Sequence, residues 1–431
     1  MIPLILTLLL LVFIFLGVDI FIALGVAGSL GILLFRGPEA LALALTSFFG
    51  QVTTFELLAL PLFVLMGHVL GKSPIGGDLF NVATRWLSWL PGGLAIASIG
   101  ACTVFGAVSG VSVAGVAAIG SMAVPEMLKR GYSKKIAAGS VVTAGALAML
   151  IPPSVPFIIY SAITGESVAK LFIGGIIPGL VLAAMLSIYV FIRVLISPEL
   201  APTSAELKFS WRERWTSLAR VWHTGILIFL VLGSIYLGVA TPTEASALGA
   251  IGAFLIAGLV YGNMNFRRIV QIIRESMMIS VAILLIMGCA KIFGDYLNMV
   301  RVPEHVTNFF MGLNVPNLVM VLLIQAILIL GGMFVDAASL VVITTPILLP
   351  LIKAMGYDPL WYGIFLVINL ELAVVTPPVG LNLYTLRSCC PVLTLEEIIK
   401  SSVPFLIIQL ICLIIFSVYP PLSLWLPNLI K

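Results

Sequence analysis

The stretch Leu147-Ala-Met-Leu-Ile-Pro-Pro-Ser-Val-Pro-Phe-Ile-Ile-Tyr160 places three prolines inside an uncharged segment that runs from Ile136 to Gly165. A hydrocarbon core of about 30 Å takes roughly 20 helical residues, so this segment is long enough to cross a membrane. The adjacent prolines Pro152 and Pro153 remove backbone donors and clash with the preceding turn, which breaks the helix. Unwound backbone at membrane depth is tolerated only where it is buried in protein or lines a cavity. The stretch therefore predicts a broken transmembrane helix at a binding site.

The composition places the whole chain in a membrane. Of its 431 residues, 61% are hydrophobic and 9% are charged, and the mean hydropathy is +1.21. These values leave little room for a soluble domain, so we predict an all-α polytopic protein whose partner is the lipid bilayer. The net charge of +4 comes from basic residues in loops, without interleaved aromatic residues, and does not indicate a nucleic-acid partner.

The first third of the chain alternates apolar segments with short polar turns. Met1 to Phe35 lacks the basic region of a signal peptide and fits either two short spans or one long tilted span. A further span is expected from Phe55 to Gly71, followed by an amphipathic interfacial helix from Leu79 to Leu90. Pro91 to Leu128 is apolar, but glycines and serines cluster between Gly106 and Gly115. This pattern predicts two half-helices joined at a tip, a re-entrant hairpin.

Basic loops indicate the orientation of the chain, because cytoplasmic loops carry an excess of lysine and arginine. The segment 129–135 has four basic residues in seven and is expected in the cytoplasm. The linker 197–222 contains three tryptophans among its charges and is expected to lie on the cytoplasmic surface. Further spans are expected at Leu171 to Ile196, Thr224 to Ala240, Ala245 to Tyr261, and Glu275 to Leu297.

The second half of the chain repeats the first at an offset of 225 residues. The coinciding positions are Pro91 with Pro316, Pro125 with Pro350, Gly131 with Gly356, and Pro152-Pro153 with Pro377-Pro378. A second hairpin is thus expected from Pro316 to Leu351, and a second broken helix from Trp361 to Arg387. The loop after this hairpin, 354–360, has no basic residue, which places the two hairpins on opposite sides of the membrane. Such inverted repeats are typical of secondary transporters, although a single proline often only kinks a packing helix.

The hairpin tips and helix breaks contain the candidate ligands for a cation, because unwound helices offer carbonyl oxygens and hydroxyl groups add to them. The first set is Ser109, Gly110 and Ser112 at the tip with Pro152, Pro153 and Ser154 at the break. The second set is Gly332, Met333 and Asp336 at the tip with Thr376, Pro378 and Gly380 at the break. Ser109 and Ser112 also fit a simpler interpretation, as small residues that let helices approach closely.

Charged residues inside membrane segments are functional by default. Asp336 could ligate a cation or cap the tip of the second hairpin, and Lys291 could pair with a substrate carboxylate or extend to the interface. Glu371 is a further charge within an apolar segment. The cysteines and histidines lack metal-ligand spacing, and the sequence has no P-loop, HExxH or Ser/His/Asp pattern. We therefore expect neither an enzyme nor a bound organic cofactor.

Several motifs resemble the large membrane subunit of tripartite ATP-independent periplasmic (TRAP) transporters. They are Phe105-Gly-Ala-Val-Ser-Gly-Val-Ser-Val-Ala114, Ile151-Pro-Pro-Ser154, Thr241-Pro-Thr-Glu-Ala245, Gly332-Met-Phe-Val-Asp336 and Asn369-Leu-Glu-Leu-Ala-Val-Val-Thr-Pro-Pro-Val-Gly-Leu-Asn382. The resemblance implies the ion transporter superfamily fold, with sodium sites at the two pairs of tip and break. It also implies two partners, a separate small four-helix membrane subunit and a periplasmic substrate-binding protein. Val111 departs from the pattern, because the family often has a small hydroxylic residue or glycine there.

This resemblance implies a sodium-coupled importer in the bacterial inner membrane that moves a small organic anion, such as a dicarboxylate or a sialic or sugar acid, by an elevator mechanism. The alternative is a stand-alone sodium/dicarboxylate symporter of the same superfamily. Expected substrate contacts are Ser109, Ser154, Lys291, Asp336 and Asn382. We expect a scaffold in 1–90, 171–315 and 389–431, and a transport domain formed by the repeats 91–170 and 316–388.

Overall fold

The computed structural model describes residues 6, 9–10, 12–13, 16–202, 209–262 and 264–429, and within these ranges the regular structure is helical, with no strand. The predicted all-α fold class is thus confirmed. The helices of seven residues or more from Ile20 onward are α1 (Ile20–Arg36), α2 (Leu41–Val52), α3 (Ala59–Gly71), α4 (Ile75–Leu87), α5 (Gly93–Ser109), α6 (Ser112–Lys129), α7 (Lys134–Ala146), α8 (Val155–Thr164), α9 (Val168–Ile196), α10 (Trp211–Leu218), α11 (Trp222–Ile228), α12 (Pro242–Leu255), α13 (Phe266–Met299), α14 (Val302–Gly312), α15 (Asn317–Gly332), α16 (Ala337–Ala354), α17 (Pro359–Ala373), α18 (Leu381–Cys389) and α19 (Leu395–Val418).

Helix length and hydropathy agree with a polytopic protein. Among the described residues, five helices are long and apolar enough to cross a membrane, namely α9, α12 with its continuation to Val260, α13, α16 and α19. The number rises to seven if each of two helix pairs bent at a short break is counted as one span. These pairs are α2 with α3, and α10 with the helix that α11 begins. Part of the predicted N-terminal segment 1–35 lies outside the described residues. Its described part has a turn at Leu16 and Gly17 before α1 begins.

Both predicted hairpins are present. Helices α5 and α6 meet at Gly110, and the Leu94 backbone N–H donates a 3.3 Å hydrogen bond to the Tyr132 hydroxyl oxygen, which holds the two ends of the hairpin together. Helices α15 and α16 meet at residues 333–336, and the Asn317 side-chain amide donates a 3.1 Å bond to the Met355 carbonyl. Each hairpin therefore enters and leaves on one side of the molecule.

Both predicted breaks are present as well. Helix α7 ends at Ala146, a 3₁₀ turn covers Leu147–Met149, and helical structure resumes in α8 after Ser154. Helix α17 ends at Ala373, and α18 begins after Gly380. The Pro152-Pro153 and Pro377-Pro378 peptide bonds are both cis.

Two contacts show that the broken helices run in opposite directions. The Tyr160 hydroxyl, near the end of the first broken helix, donates a 2.7 Å bond to the carbonyl of Pro359, which begins the second. Lys134, which begins the first, forms a 2.7 Å ion pair with Glu397, just after the second ends. Each hairpin base adjoins the start of its own broken helix, so the two bases lie at opposite ends of the molecule. This is the predicted inversion.

The repeat extends well beyond the segments that sequence comparison aligned. Adding 225 to α1 (20–36) gives 245–261, which matches Pro242–Val260. The same addition maps α4 (75–87) onto 300–312, occupied by α14, and α9 (168–196) onto 393–421, occupied by α19. The bent pair α2 and α3 (41–71) maps onto 266–296, which the continuous helix α13 covers. Helices α2 and α14 were not predicted, because both are short and lie between stronger apolar segments.

The linker between the repeats folds back on the amphipathic helix α4. The Trp86 indole N–H donates a 3.2 Å bond to the Arg214 carbonyl, and its ring packs edge-on against Trp211 and Trp215. Aromatic pairs of this geometry contribute about 0.5–1.5 kcal/mol each beyond their buried area. Residues 203–208 of the predicted linker 197–222 lie outside the described residues. The described part contains a 3₁₀ turn at Pro198–Leu200 and helix α10, and α11 begins at its last residue.

Candidate ion and substrate site

Both hairpin tips and both helix breaks meet at one cavity of about 190 Å³. The first tip contributes Gly110, Val111 and Ser112, and the second contributes Asp336, Ala337 and Ala338. Helix α13 closes the cavity from the side with Ile279 and Ile283. The inverted repeats therefore converge on a single chamber.

Four helices begin at the wall of this chamber. Their first residues, Ser112 of α6, Val155 of α8, Ala337 of α16 and Leu381 of α18, all line it. The N-terminus of a helix carries a positive partial charge and backbone N–H groups without intrahelical partners, which attract anions. Four such termini place partial positive charge at the cavity wall, and the Asp336 carboxylate caps one of them.

The first tip packs tightly against the first break. Gly110 has φ of +63°, in the left-handed region that glycine adopts most readily, and a β-carbon there would overlap the carbonyl oxygen of Pro153. The neighbouring Ser109 is fully buried, and its hydroxyl has no hydrogen-bond partner among the described residues. A buried hydroxyl without a partner is unfavourable by about 1–3 kcal/mol. The oxygen atoms available here, the Ser109 hydroxyl and the Pro153 carbonyl that approaches Gly110, are of the kind that a hard cation such as sodium prefers.

Ser112 connects the two repeats. Its hydroxyl donates a 2.6 Å hydrogen bond to the side-chain oxygen of Asn382, which follows the second break. The Asn382 side-chain amide in turn donates a 3.2 Å bond to the Val142 carbonyl in the first broken helix. Asn382 thus stands beside the first tip, although the sequence places it in the second repeat.

Ser154 is used locally within the first break. Its hydroxyl donates to the Met149 carbonyl and accepts a 3.5 Å hydrogen bond from the Phe157 backbone N–H, so it caps α8. Pro152 and Pro153 are buried beside it. These contacts fix the path of the unwound chain opposite Gly110.

The second tip and break are joined through the backbone. The Val379 N–H donates a 3.3 Å bond to the Met333 carbonyl, and a β-carbon on Gly332 would overlap the side chain of Ala373. Asp336 caps α16, because its carboxylate accepts from both the backbone N–H and the hydroxyl of Ser339. The capping role considered for Asp336 is thus observed.

The remaining residues of the second set are also engaged in local contacts. The Thr376 hydroxyl donates a 2.6 Å bond to the Leu372 carbonyl, and the Pro378 carbonyl accepts a 3.1 Å bond from the Tyr384 hydroxyl. Gly380 has φ of +27° and precedes α18. Pro378 and Val379 are exposed, whereas the whole first break is buried.

Lys291 lines a different cavity. It forms a 2.7 Å ion pair with Asp295, and both line a cavity of about 230 Å³ between α13 and α16, with Gln51 and Thr345. Lys291 is not among the residues that line the tip cavity. The structure thus brings Ser112, Asp336 and Asn382 to the tips and separates Lys291 from them.

Some buried polar groups were not singled out in the sequence. The hydroxyls of Thr143 in α7 and Thr345 in α16 are buried and have no hydrogen-bond partner within the described part of the chain. Threonine is common in apolar helices, so nothing in the local sequence distinguishes these two. The described residues contain no cluster of three or more His, Cys, Asp or Glu side chains that would suit a transition metal.

Comparison with known proteins gives a match along nearly the whole chain. Residues 7–422 match the family model described as "Tripartite ATP-independent periplasmic transporter, DctM component". The C4-dicarboxylate TRAP transporter large permease protein DctM of Pseudomonas aeruginosa is 35% identical over 407 residues, covering 94% of each chain. The isethionate TRAP transporter permease protein DctMQ of Oleidesulfovibrio alaskensis is 34% identical, covering 96% of this chain and 64% of that protein.

Solved structures agree on the fold. The YdaH transporter of Alcanivorax borkumensis superimposes with a TM-score of 0.62, covering 90% of this chain and 89% of that one at 17% identity. At this level of identity the similarity concerns the fold alone.

Proposed function

The chain belongs to the DctM component family of tripartite ATP-independent periplasmic transporters, and from this membership we propose that it imports a small organic anion by coupling to sodium. It is a large permease of a TRAP transporter, a multi-pass protein of the bacterial inner membrane. The coupling ion, the mechanism and the substrate are the proposed parts.

The observation that carries the proposal is the single cavity between the two tips. Four helix N-termini around it favour an anion such as a carboxylate, and the two tips flank it from opposite repeats. The buried, unpartnered hydroxyl of Ser109 supports a sodium ion at the first tip, with the neighbouring Pro153 carbonyl as a candidate second ligand. At the second tip, the Met333 and Pro378 carbonyls and the Asp336 carboxylate are the candidate oxygens.

Sodium would act on the backbone geometry of the tips. An ion bound between a tip and its break joins the two, so that the helix N-termini are held around the anion. Asp336, Ser112 and Asn382 position these termini through the hydrogen bonds described above. Ser154 holds the start of α8 in the same way. Binding of sodium thus precedes binding of the anion in the proposed sequence.

Transport is proposed to follow an elevator mechanism. The repeats 91–170 and 316–388 move together, and the remaining spans form the scaffold. The tip cavity meets α13 through Ile279 and Ile283, and such apolar contacts carry no directional bonds that sliding would break. The membrane potential contributes about 2.3 kcal/mol per charge per 100 mV to inward movement of bound sodium.

Two partners complete the proposed system, a periplasmic binding protein that delivers the anion and a small membrane subunit that steadies the scaffold. The relative called DctMQ is longer than this chain, which covers 64% of it. Relatives at 35% and 34% identity are named for different substrates, a C4-dicarboxylate and isethionate. Overall identity therefore does not select the anion, and we assign the chemical class only.

The proposal is tested by sodium-dependent uptake in proteoliposomes with the substitution Ser109→Ala. Because the hydroxyl has no other partner, we expect the sodium concentration for half-maximal uptake to rise several-fold, while the unfolding temperature without sodium does not fall. Ser98→Ala is the matched control, since Ser98 is equally buried in the same helix but bonds to the Leu94 carbonyl. Equal sodium dependence in Ser109→Ala and the wild type would remove Ser109 from the site.

The requirement for a binding protein is tested separately. Wild-type uptake of the same anion is measured with and without a periplasmic binding protein that binds this anion. Uptake that depends on this protein supports the tripartite arrangement. Full uptake in its absence would instead support the stand-alone symporter.

A further inference from the structure

A buried carboxyl group in the second repeat has no place in the site described so far. Glu371, in α17, is fully buried, and neither of its carboxylate oxygens has a hydrogen-bond partner among the described residues. Asn369, two residues earlier, is equally buried, and its side-chain oxygen also lacks a partner. Native proteins satisfy the large majority of buried polar atoms, so these exceptions call for an explanation.

The neighbouring helix α19 brings further polar atoms to the same level. The Trp361 indole N–H donates to the Phe416 carbonyl, which sets α17 and α19 antiparallel with these residues opposite each other. Because each residue advances both helices by about 1.5 Å, Gln409 lies opposite position 368, one turn or less from Glu371. Gln409 is buried, and both its amide nitrogen and oxygen lack partners in the described part of the chain.

These polar residues are not required by the packing of the repeat. Subtracting 225 from positions 369, 371 and 409 gives 144, 146 and 184, which are Ala144, Ala146 and Ala184. The equivalent helices of the first repeat, α7 and α9, thus pack with methyl groups where the second repeat has two amides and a carboxyl. The second repeat carries a polar cluster that its fold does not need.

An ionised carboxylate in this position has no hydrogen-bond donor among the described residues to stabilise its charge. Moving a charge out of water remains unfavourable by several kcal/mol even after the protein relaxes. The basic side chains on the helices around α17 are exposed and are not directed at the buried carboxyl. They are Lys353 on α16, Lys170 and Arg193 on α9, Lys134 and Lys135 on α7, and Lys400 on α19. The other titratable groups on these helices are Glu396, Glu397 and the Cys412 thiol on α19 and the phenols of Tyr160, Tyr189 and Tyr362, none of which supplies a positive charge. A proton is the remaining way to neutralise Glu371.

We propose that Glu371 is a proton-binding site of the second repeat, held as a neutral acid at its buried position in α17. Release of the proton leaves a carboxylate that only water can stabilise. Glu371 lies in the last turn of α17, which ends at Ala373, where Gly332 of the second tip packs, so opening of this tip and break is the movement that admits water. Proton release is therefore linked to opening of the second hairpin.

The proton itself is tested by infrared spectroscopy on the purified full-length chain. We expect a carbonyl band of a protonated carboxylic acid at neutral pH that shifts in heavy water and is lost in Glu371→Gln. Glu244→Gln is the control, because Glu244 is an exposed carboxylate in a capping box with Thr241. An unchanged band in Glu371→Gln would overturn the proposal.

The link to hairpin opening rests on the proposed transport function and needs a second measurement. Uptake by the wild type should fall as the pH rises above neutral, because loss of the proton favours the open hairpin. Glu371→Gln should keep uptake at neutral pH and should not show this fall at alkaline pH. The same fall in uptake at alkaline pH in Glu371→Gln and in the wild type would overturn the link between proton release and hairpin opening. The infrared result does not depend on transport, so a failure of the proposed function and a failure of the proton site give different outcomes.

Discussion

The two tips are built on the same backbone plan but differ in what surrounds them. At the first, Ser109, Gly110 and Ser112 are buried, and the break opposite them is buried throughout. At the second, Met333 and Asp336 are half-exposed, and Pro378 and Val379 are exposed. The first tip leaves a hydroxyl without a partner, whereas the polar side chains of the second set bond to their own helices. One repeat thus presents a closed site with an unused ligand, and the other an accessible site held by local bonds.

This difference shows what an inverted repeat does and does not determine. Offset and proline positions determine the hairpins, the breaks and their direction. Side-chain contacts at the tips follow each repeat's own residues. At the offset of 225, the partner of Ser112 is Ala337 and the counterpart of Asn382 is Phe157, so the bond between Ser112 and Asn382 has no equivalent elsewhere. The side-chain chemistry of each tip therefore follows from its own residues and not from the repeat.

The largest effect is expected where the first tip meets its break. Gly110→Ala combines a left-handed backbone, unfavourable by about 1–2 kcal/mol for alanine, with overlap onto the fixed Pro153 carbonyl. We expect uptake to fall by more than tenfold. Gly165→Ala is the control, because Gly165 has φ of +77° and no atom within 4 Å of an added β-carbon. If both variants lose uptake equally, backbone strain alone explains the loss and the tight contact of the first tip is not needed.

A smaller effect is expected for the bond between the repeats. Ser112→Ala leaves the Asn382 oxygen without its donor, which is unfavourable by about 1–3 kcal/mol. Uptake and unfolding are measured for Ser112→Ala, Asn382→Ala and the double variant. Groups in one hydrogen-bond network show interaction energies of about 0.5–3 kcal/mol, so the double variant should lose less than the sum of the single losses. Strictly additive losses would mean that the first tip does not depend on the second repeat.

The smallest effect separates two roles of Asp336. If the residue acts as a helix cap, Asp336→Asn keeps most of the cap and should reduce uptake less than twofold. Asp336→Ala removes the cap and should lower the free energy of unfolding by about 1 kcal/mol. Chemical unfolding and sodium-dependent uptake are compared for both variants. Loss of uptake in Asp336→Asn with unchanged stability would show that the carboxylate itself binds the ion, and that the second tip resembles the first after all.

Much of the fold could be predicted from the sequence, because prolines and glycines act locally. Pro152-Pro153 and Pro377-Pro378 break helices wherever they stand, and the basic residues of 129–135 indicate the side of the membrane. The contact between Ser112 and Asn382 could not be predicted, since it joins residues 270 positions apart without repeat symmetry. The unpartnered state of Ser109 is likewise a property of three-dimensional packing. Helix α14 escaped prediction because it is short and lies between stronger apolar segments.

The cavity around Lys291 has an electrical consequence. Residues 276–290 of α13 are uncharged and lie between Glu275 and Lys291, a rise of about 24 Å, which is less than the roughly 30 Å of a hydrocarbon core. A volume of about 230 Å³ beside the Lys291–Asp295 pair has room for several water molecules. Water in this recess carries the potential of the adjoining solution inward, so the voltage falls across a thinner layer of protein. In the proposed elevator mechanism, a bound ion would then cross most of the field over a short path, and the transport domain would not need to travel the full thickness of the bilayer.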